Sequence, residues 1–273
     1  MYIQPPTDTL VALSPDWHGE RFPDGRPRVS DAVLDELRNA TAEEIWTVLW
    51  DAGYERQFEG NWERTHPDKR LVGRAVTAQF LPQRPDLDAV MVKTANDEGR
   101  PTRSENQNWL VVESLVDGDV MVVDIFGKVY EGTVIGDQLG TAINARTKAG
   151  AVIHGGIRDL EGISQLEHIN VYYRGTDPTP IRNVTLAGLN IPVRIGGATA
   201  MPGDVVIGTP AGVLFLPPHL AERAAQDSAE TRRRDEFAKL RLQQGRYSTS
   251  DTDVEVWAEH VARDYQEWCT ARG

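Results

Sequence analysis

Between residues 119 and 216 short apolar runs follow one another at close intervals, each closed by glycine, aspartate or proline. "DVMVVDIFG" (119–127), "AVIHGG", "INVYYRG", "IPVRIGG", "DVVIGT" and "GVLFLP" are each too short for a buried helix and rich in the β-branched residues that suit a pleated, packed surface. "RLVGRAVTAQF" (70–80) adds an earlier strand of the same kind. Among them "GDQLGTAINARTKAG" suits a helix and "RDLEGISQL" a helical turn. Strands and helices in this order require a layered α/β domain, and the close succession of the last three runs requires some antiparallel or meandering strands. A regular doubly wound series is excluded.

The flanks read differently. Residues 1–29, rich in proline and polar residues, read as an irregular arm. "SDAVLDELRNA" opens a helix with Ser30 as N-cap, and "TAEEIWTVLWDAG" opens a second with Thr41 and Glu44 spaced as a capping box. "PPHLAERAAQDSAETRRRDEFAKLRLQQG" (217–245) is a long charged helix with Pro218 near its first turn, where proline is tolerated. Its Arg232, Arg233 and Arg234 stand among acids and read as a solvated face. In "DVEVWAEHVARDYQEW", Trp257, Val261, Tyr265 and Trp268 recur at helical spacing, an apolar stripe that must dock on its own domain or on a neighbouring subunit. The resulting division is an arm (1–29), an α/β domain (30–225) and a helical extension (226–273).

Composition narrows the function classes. Twenty-nine basic against 41 acidic residues give a formal charge of −12, which disfavours nucleic acid as a partner. No run approaches the roughly 18 apolar residues of a membrane span, and the N-terminus lacks a basic start followed by an apolar core, so the expectation is a cytoplasmic protein with no membrane partner. The single Cys269 can form neither an intrachain disulfide nor a multi-thiolate metal site. The chain contains no GxxxxGK[ST], GxGxxG after a strand, HExxH or GxSxG. His18, His66, His154, His168, His219 and His260 show no metal-ligand spacing, and His154, on a strand pattern, reads as a satisfied core or interface residue.

There remains the stretch 135–163, where Gly136-Asp137 opens the helix-like segment and Arg158-Asp159 closes the strand after it. Backbone N–H groups around Asp137, Gln138 and Leu139 point outward at the start of a helix and attract a carboxylate or phosphate. Ligands in open α/β sheets collect beyond the carboxyl ends of strands, which is where Arg158 and Asp159 fall. Asp159 offers a hard oxygen ligand, in the style of Mg²⁺ or Mn²⁺ sites completed by water and substrate oxygens. Arg158 offers a fixed fork for a substrate carboxylate or a developing oxyanion, and Asp137 a group to orient or deprotonate a water. The same residues also read as an acid at a helix N-terminus and a salt-bridged turn, and spacing alone leaves both readings open.

Asp137, twenty residues, then Arg158-Asp159, set in "GDQLGTA...AGAVIHGGIRD", resembles the family of the regulator of ribonuclease activity A and the 4-hydroxy-4-methyl-2-oxoglutarate (4-carboxy-4-hydroxy-2-oxoadipate) aldolases. "LVGRAVTAQF", "GDVMVVDIFG" and "GDVVIGTPAGVLFLP" look like strands of that family, and the likeness covers residues 30–225. The resemblance implies a layered β/β/α swivelling-type domain and, for the aldolase branch, a divalent-metal lyase of keto acids assembled as a homotrimer or homohexamer. Carried over, Gly136, Asp137, Gln138 and Leu139 would hold the substrate carboxylate, Arg158 the keto or enolate oxygen and Asp159 the Mg²⁺ or Mn²⁺, with Asp137 assisting proton transfer through water. His154 departs from the pattern, standing where an acid is expected. The resemblance also implies two alternatives: a non-catalytic regulator docking on a ribonuclease or other protein, and a lyase or hydratase of sugar-acid-derived keto acids. The family's methyltransferase label finds no glycine-rich cofactor loop here.

Overall fold

The apolar runs pair into one curled sheet. In the computed structural model, which describes residues 2–272, the arm carries a short helix, α1 (Thr7–Ala12). The arm is therefore less irregular than its composition suggests, because Ile3, Leu10 and Val29 are buried and fix it to the domain. Arg26 in the same arm reaches the buried Asp119 at 3.0 Å. Next come α2 (Asp31–Leu37), with the Ser30 side chain accepting the Val33 N–H, and α3 (Ala42–Asp51), with the complete Thr41–Glu44 capping box.

Short strands β1 (Phe58–Glu59) and β2 (Glu63–Arg64) precede the long β3 (Leu71–Pro82). Helices α4 (Pro85–Asp97) and α5 (Asn108–Glu113) occupy a stretch to which the sequence pattern assigned no element. On α4 the buried positions are Asp88, Met91 and Ala95, and Asp88 is stabilised inside by Ser104, Gln107 and Thr185, so a polar residue stands where periodicity requires an apolar one. The chain then forms β4 (Asp119–Asp124), α6 (Asp137–Thr147), β5 (Gly150–Ile157), α7 (Leu160–Ile163) and β6 (Asn170–Thr176). It continues through β7 (Val184–Leu189), β8 (Val193–Ile195), β9 (Ala198–Ala200), β10 (Val205–Gly208) and β11 (Val213–Leu216). It ends in α8 (Ala221–Gln243), α9 (Thr249–Thr252) and α10 (Glu259–Thr270).

The sheet runs β1-β11-β10-β3-β4-β5-β6-β2, with β7 on the far half of β3 and β8-β9 as a separate hairpin. β3, β4, β5 and β6 are parallel, which sets the carboxyl ends of β4 and β5 side by side, whereas β10 and β11 are antiparallel. Alternation along β3 divides the core. Val76, Ala78 and Phe80 join a cluster that includes Ile143 of α6 and Ile163 of α7, while Val72 joins one that includes Leu34 of α2, Ile45 of α3 and Ala224 of α8. Leu71 and Ala75 face the other way, against Val193, Ile195 and Ala198 of the β8-β9 hairpin. Helices thus cover one face and strands the other, the layered β/β/α arrangement expected.

The aromatic stripe docks on its own chain. Phe237 of α8, fully buried, lies 5.5 Å from Trp257, 5.4 Å from Tyr265 and 5.7 Å from Trp268, ring centre to ring centre. Trp257 precedes α10 rather than belonging to it. The arginine cluster is not simply a solvated face: Arg232 pairs with Glu44 at 2.9 Å, and Arg234 lies over the Trp257 ring at 4.4 Å. Both partners come from elsewhere in the chain, which local charge pattern does not encode.

Candidate active site

The site grows from two chain crossings at the carboxyl end of the parallel strands. After β4 the chain loops over the end of β5, where the Gly156 N–H reaches Lys128 O at 3.0 Å and Gly132 O at 3.1 Å. A side chain at Gly156 would crowd Val129 O at 2.9 Å, so glycine permits the crossing. The loop then delivers Gly136 to the start of α6, and the Arg158 N–H bonds Ile135 O at 3.0 Å, holding the two turns together. The two turns thus meet through backbone pairing.

Gly136 brings no side-chain cap to α6. The Asp159 Oδ2 accepts the Asp137 N–H at 3.4 Å instead, and Asp137 Oδ1 accepts the Gln138 N–H at 2.7 Å. Leu139 N–H takes no protein acceptor among the described residues. Asp159 adopts a left-handed conformation (φ 54°, ψ 40°), unusual for a side-chain-bearing residue and tolerated best by Asn and Asp. Its Oδ2 also lies 3.6 Å from Arg158 Nε, while Oδ1 takes no donor among the described residues.

Gly136, Gln138, Leu139 and Arg158 line one cavity of about 380 Å³, together with Asn108, Trp109, Thr133 and Arg182. Asp137 and Asp159 do not line it, since Asp137 turns back on its own helix and Asp159 turns toward Asp137 and Arg158. Asn108, Trp109 and Arg182 escaped the sequence reading because they reach the cavity from α5 and from the loop before β7. Trp109 stays half exposed in the fold, which its sequence surroundings do not reveal.

Among the described residues no group of three or more His, Cys, Asp and Glu side chains is arranged to hold a metal ion. A single carboxylate with one open oxygen and a side chain 40% exposed, beside Arg158, fits a hydrated Mg²⁺ or Mn²⁺ that keeps most of its waters. Asp159 would hold it.

His154 is satisfied, as its strand position suggested. Its Nδ1 lies 2.9 Å from Asp124 Oδ1, and Gln79 Nε2 reaches the other Asp124 oxygen at 2.9 Å. Burial pushes the Asp124 carboxyl up, but the bonds from His154, Gln79 and the Phe126 N–H outweigh it and leave it below the usual carboxylate range. With Asp124 ionised, Nδ1 is the donor. This row of polar groups crosses β3, β4 and β5 on the face away from α6, in the alternation that sends Val120, Val122 and Val152 to the hairpin side.

Comparison with known proteins places the chain. Residues 27–215 match the family model of RraA-like proteins, described as Aldolase/RraA. The chain is 29% identical over 119 residues to a Halalkalibacterium halodurans protein whose name, 4-hydroxy-4-methyl-2-oxoglutarate aldolase, is itself a provisional assignment; the match covers 44% of this chain and 56% of that protein. It is 26% identical over 218 residues to the protein DlpA of Legionella pneumophila, covering 78% of this chain and 32% of that one. The chain thus spans about half and about a third of these curated relatives. Among solved structures it resembles Streptomyces coelicolor RraAS2, described as an unusual member of the RNase ES inhibitor RraA family, with a TM-score of 0.65, 24% identity and coverage of 79% of this chain and 98% of that one. That likeness concerns the fold.

Proposed function

The chain belongs to the RraA-like (aldolase/RraA) family, and we propose that it is a divalent-metal-dependent carbon–carbon lyase that cleaves a 4-hydroxy-2-oxo acid to pyruvate and a second carbonyl compound. One observation carries this reading: Arg158 and Leu139, whose N–H takes no acceptor among the described residues, line the same cavity, and Asp159, with one open carboxylate oxygen, lies beside Arg158.

The N-terminal turn of α6 holds the 1-carboxylate of the substrate, since its N–H groups and dipole favour an anion there. Arg158 directs its guanidinium at the 2-oxo oxygen. The 4-hydroxyl proton passes through a water to Asp137, the C3–C4 bond breaks, and its electron pair moves onto the C2 oxygen, giving the enolate of pyruvate and the second carbonyl compound; the proton then returns from Asp137 through water to C3, which completes pyruvate. Arg158 binds that oxygen more strongly as its charge grows, which makes it selective for the transition state. Asp159 would hold the Mg²⁺ or Mn²⁺, which would supply Lewis-acid stabilisation of the enolate. Decarboxylation of oxaloacetate passes through the same enolate and belongs to the reading as a side activity.

The test is pyruvate release in a coupled assay from 4-hydroxy-4-methyl-2-oxoglutarate and from oxaloacetate, with Mg²⁺, Mn²⁺ or chelator, alongside Asp159→Ala. Metal-dependent pyruvate that the variant loses supports the lyase. Its absence under every condition turns attention to sugar-acid-derived keto acids, and then to a regulator recovered with a stoichiometric protein partner. The assembly that goes with the lyase is a homotrimer or homohexamer, measurable by light scattering.

A further inference from the structure

The lyase reading uses the part of the cavity beside Arg158 and α6 and leaves the rest without a task. That remainder carries a second arginine. The Arg182 backbone is held from both sides: its N–H bonds Glu131 O at 2.9 Å, and its carbonyl accepts Lys128 Nζ at 2.6 Å. The next residue, Asn183, is left-handed (φ 57°) and bonds Glu131 Oε2 at 2.6 Å. The guanidinium itself makes no hydrogen bond or ion pair with any described residue. Two acids of the adjoining loops are otherwise engaged, Glu131 by Asn183 and Lys128, and Asp177 by Thr179. A head group left free on a pinned backbone is open to a ligand, at the ordering cost of its side chain alone.

The cavity wall also has a charge unlike the rest of the molecule. On a chain of net charge −12, it carries Arg158 and Arg182 against Glu105 alone. Trp109, half exposed, and Ile181 supply apolar surface in the same cavity, suited to covering a short carbon chain.

We propose that Arg182 is a specificity-determining residue that binds a second carboxylate on the part of the substrate leaving as the second carbonyl product, with Trp109 and Ile181 flanking the carbons between. This rests on the lyase reading. Arg182 contributes the fork that a planar carboxylate accepts in two bonds.

The test is calorimetric titration, in Mg²⁺, of the full chain with two oxo acids that lack a 4-hydroxyl and so are not cleaved: 2-oxoglutarate, with a second carboxylate, and 2-oxopentanoate, without one. The wild type is expected to bind 2-oxoglutarate at least about tenfold more tightly, the scale of one charge-assisted pair. Arg182→Gln removes that preference and leaves 2-oxopentanoate unchanged, Arg182→Lys keeps part of it, and Trp109→Ala weakens both ligands alike. Equal binding of the two acids by the wild type, or a preference that survives in Arg182→Gln, overturns the proposal and leaves the lyase reading standing. Binding of neither acid, with no pyruvate released in the coupled assay, removes the lyase reading and this proposal together.

Discussion

Asp159 caps α6 from 22 positions away: its carboxylate accepts the Asp137 N–H at 3.4 Å, over a glycine that leaves room for it. A Cβ on Gly136 would collide with Asp159 Oδ2 and stand 3.0 Å from Arg158 Nε. Gly136 has extended backbone angles (φ −122°, ψ −166°) that alanine adopts freely, so Gly136→Ala perturbs the two side chains and not the chain path. Turnover is expected to fall by about tenfold or more, as for a misplaced catalytic group, with the unfolding midpoint near that of the wild type. Normal turnover in this variant would show that the contact between α6 and Asp159 has no part in the reaction.

Arg158 is 43% exposed and its one ion pair, with Asp159, spans 3.6 Å, so its removal should cost little stability. Its loss from the reaction is a different matter. Arg158→Ala is expected to raise the barrier by at least about 3 kcal/mol, roughly a hundredfold in kcat, the scale of losing an oxyanion donor. Steady-state kinetics on the coupled assay decide this, and near-normal kcat would exclude Arg158 from the mechanism.

Substitution at Asp159 needs care because the residue is left-handed. Alanine there adds backbone strain of about 1 kcal/mol or more, whereas asparagine tolerates the conformation and removes only the charge. Asp159→Asn is expected to unfold like the wild type and to lose its response to Mg²⁺ and to chelator. An unchanged chelator response, measured on any remaining pyruvate release, would rule Asp159 out as the ligand.

The features legible in the sequence were those that declare themselves locally. Ser30 and the Thr41–Glu44 pair marked α2 and α3 through cap chemistry, and the apolar runs marked β3, β4, β5, β6, β10 and β11. Helix α4 stayed hidden because its inner face includes Asp88, whose partners Ser104, Gln107 and Thr185 lie up to 97 positions away. β7 was missed because "VTLAGL" is short, includes a glycine and comes after a polar loop. The site divides in the same way. Asp137, Arg158 and Asp159 sit in one continuous stretch, while Asn108, Trp109 and Arg182 share a cavity with Arg158 only after the strands have paired.

A buried carboxyl away from this site makes stability depend on pH. Asp204, after β9, has its Oδ2 bonded to the Met201 N–H at 2.8 Å, and burial, only partly offset by that bond, pushes it up to about 7. A carboxyl raised in the folded state keeps a proton that the unfolded chain, with its value near 3.9, has already released. Its contribution to stability is therefore most favourable at low pH, declines between about pH 4 and 7, and levels off above, a loss of at most about 4 kcal/mol. Asp204→Asn keeps an acceptor for Met201 without the charge. Its unfolding midpoint, relative to wild type, is expected to rise between pH 5 and pH 8, and a constant difference across that range would remove Asp204 as the titrating group.

Phe237 holds the segment after α8 onto that helix, and its loss should release the segment from α8. Its ring is enclosed by Trp257, Tyr265, Trp268 and Tyr247, while the first half of α8 faces the domain core through Ala221, Ala224 and Ala225. Phe237→Ala opens a cavity worth about 3–5 kcal/mol, nearly all of it in contacts between α8 and the aromatic side chains of the C-terminal segment. The Arg241–Asp264 pair, bidentate at 2.8 and 2.7 Å and largely buried, ties α8 to α10 but fills none of the volume the ring leaves. Brief trypsin treatment of this variant is expected to cut at Arg246 in the exposed link after α8, leaving the RraA-like domain as a stable fragment, with the wild type resistant. Loss of the whole domain at the same rate would instead make the extension part of a single cooperative unit. Pyruvate release by the trimmed fragment then separates a purely structural extension from one that the active site needs.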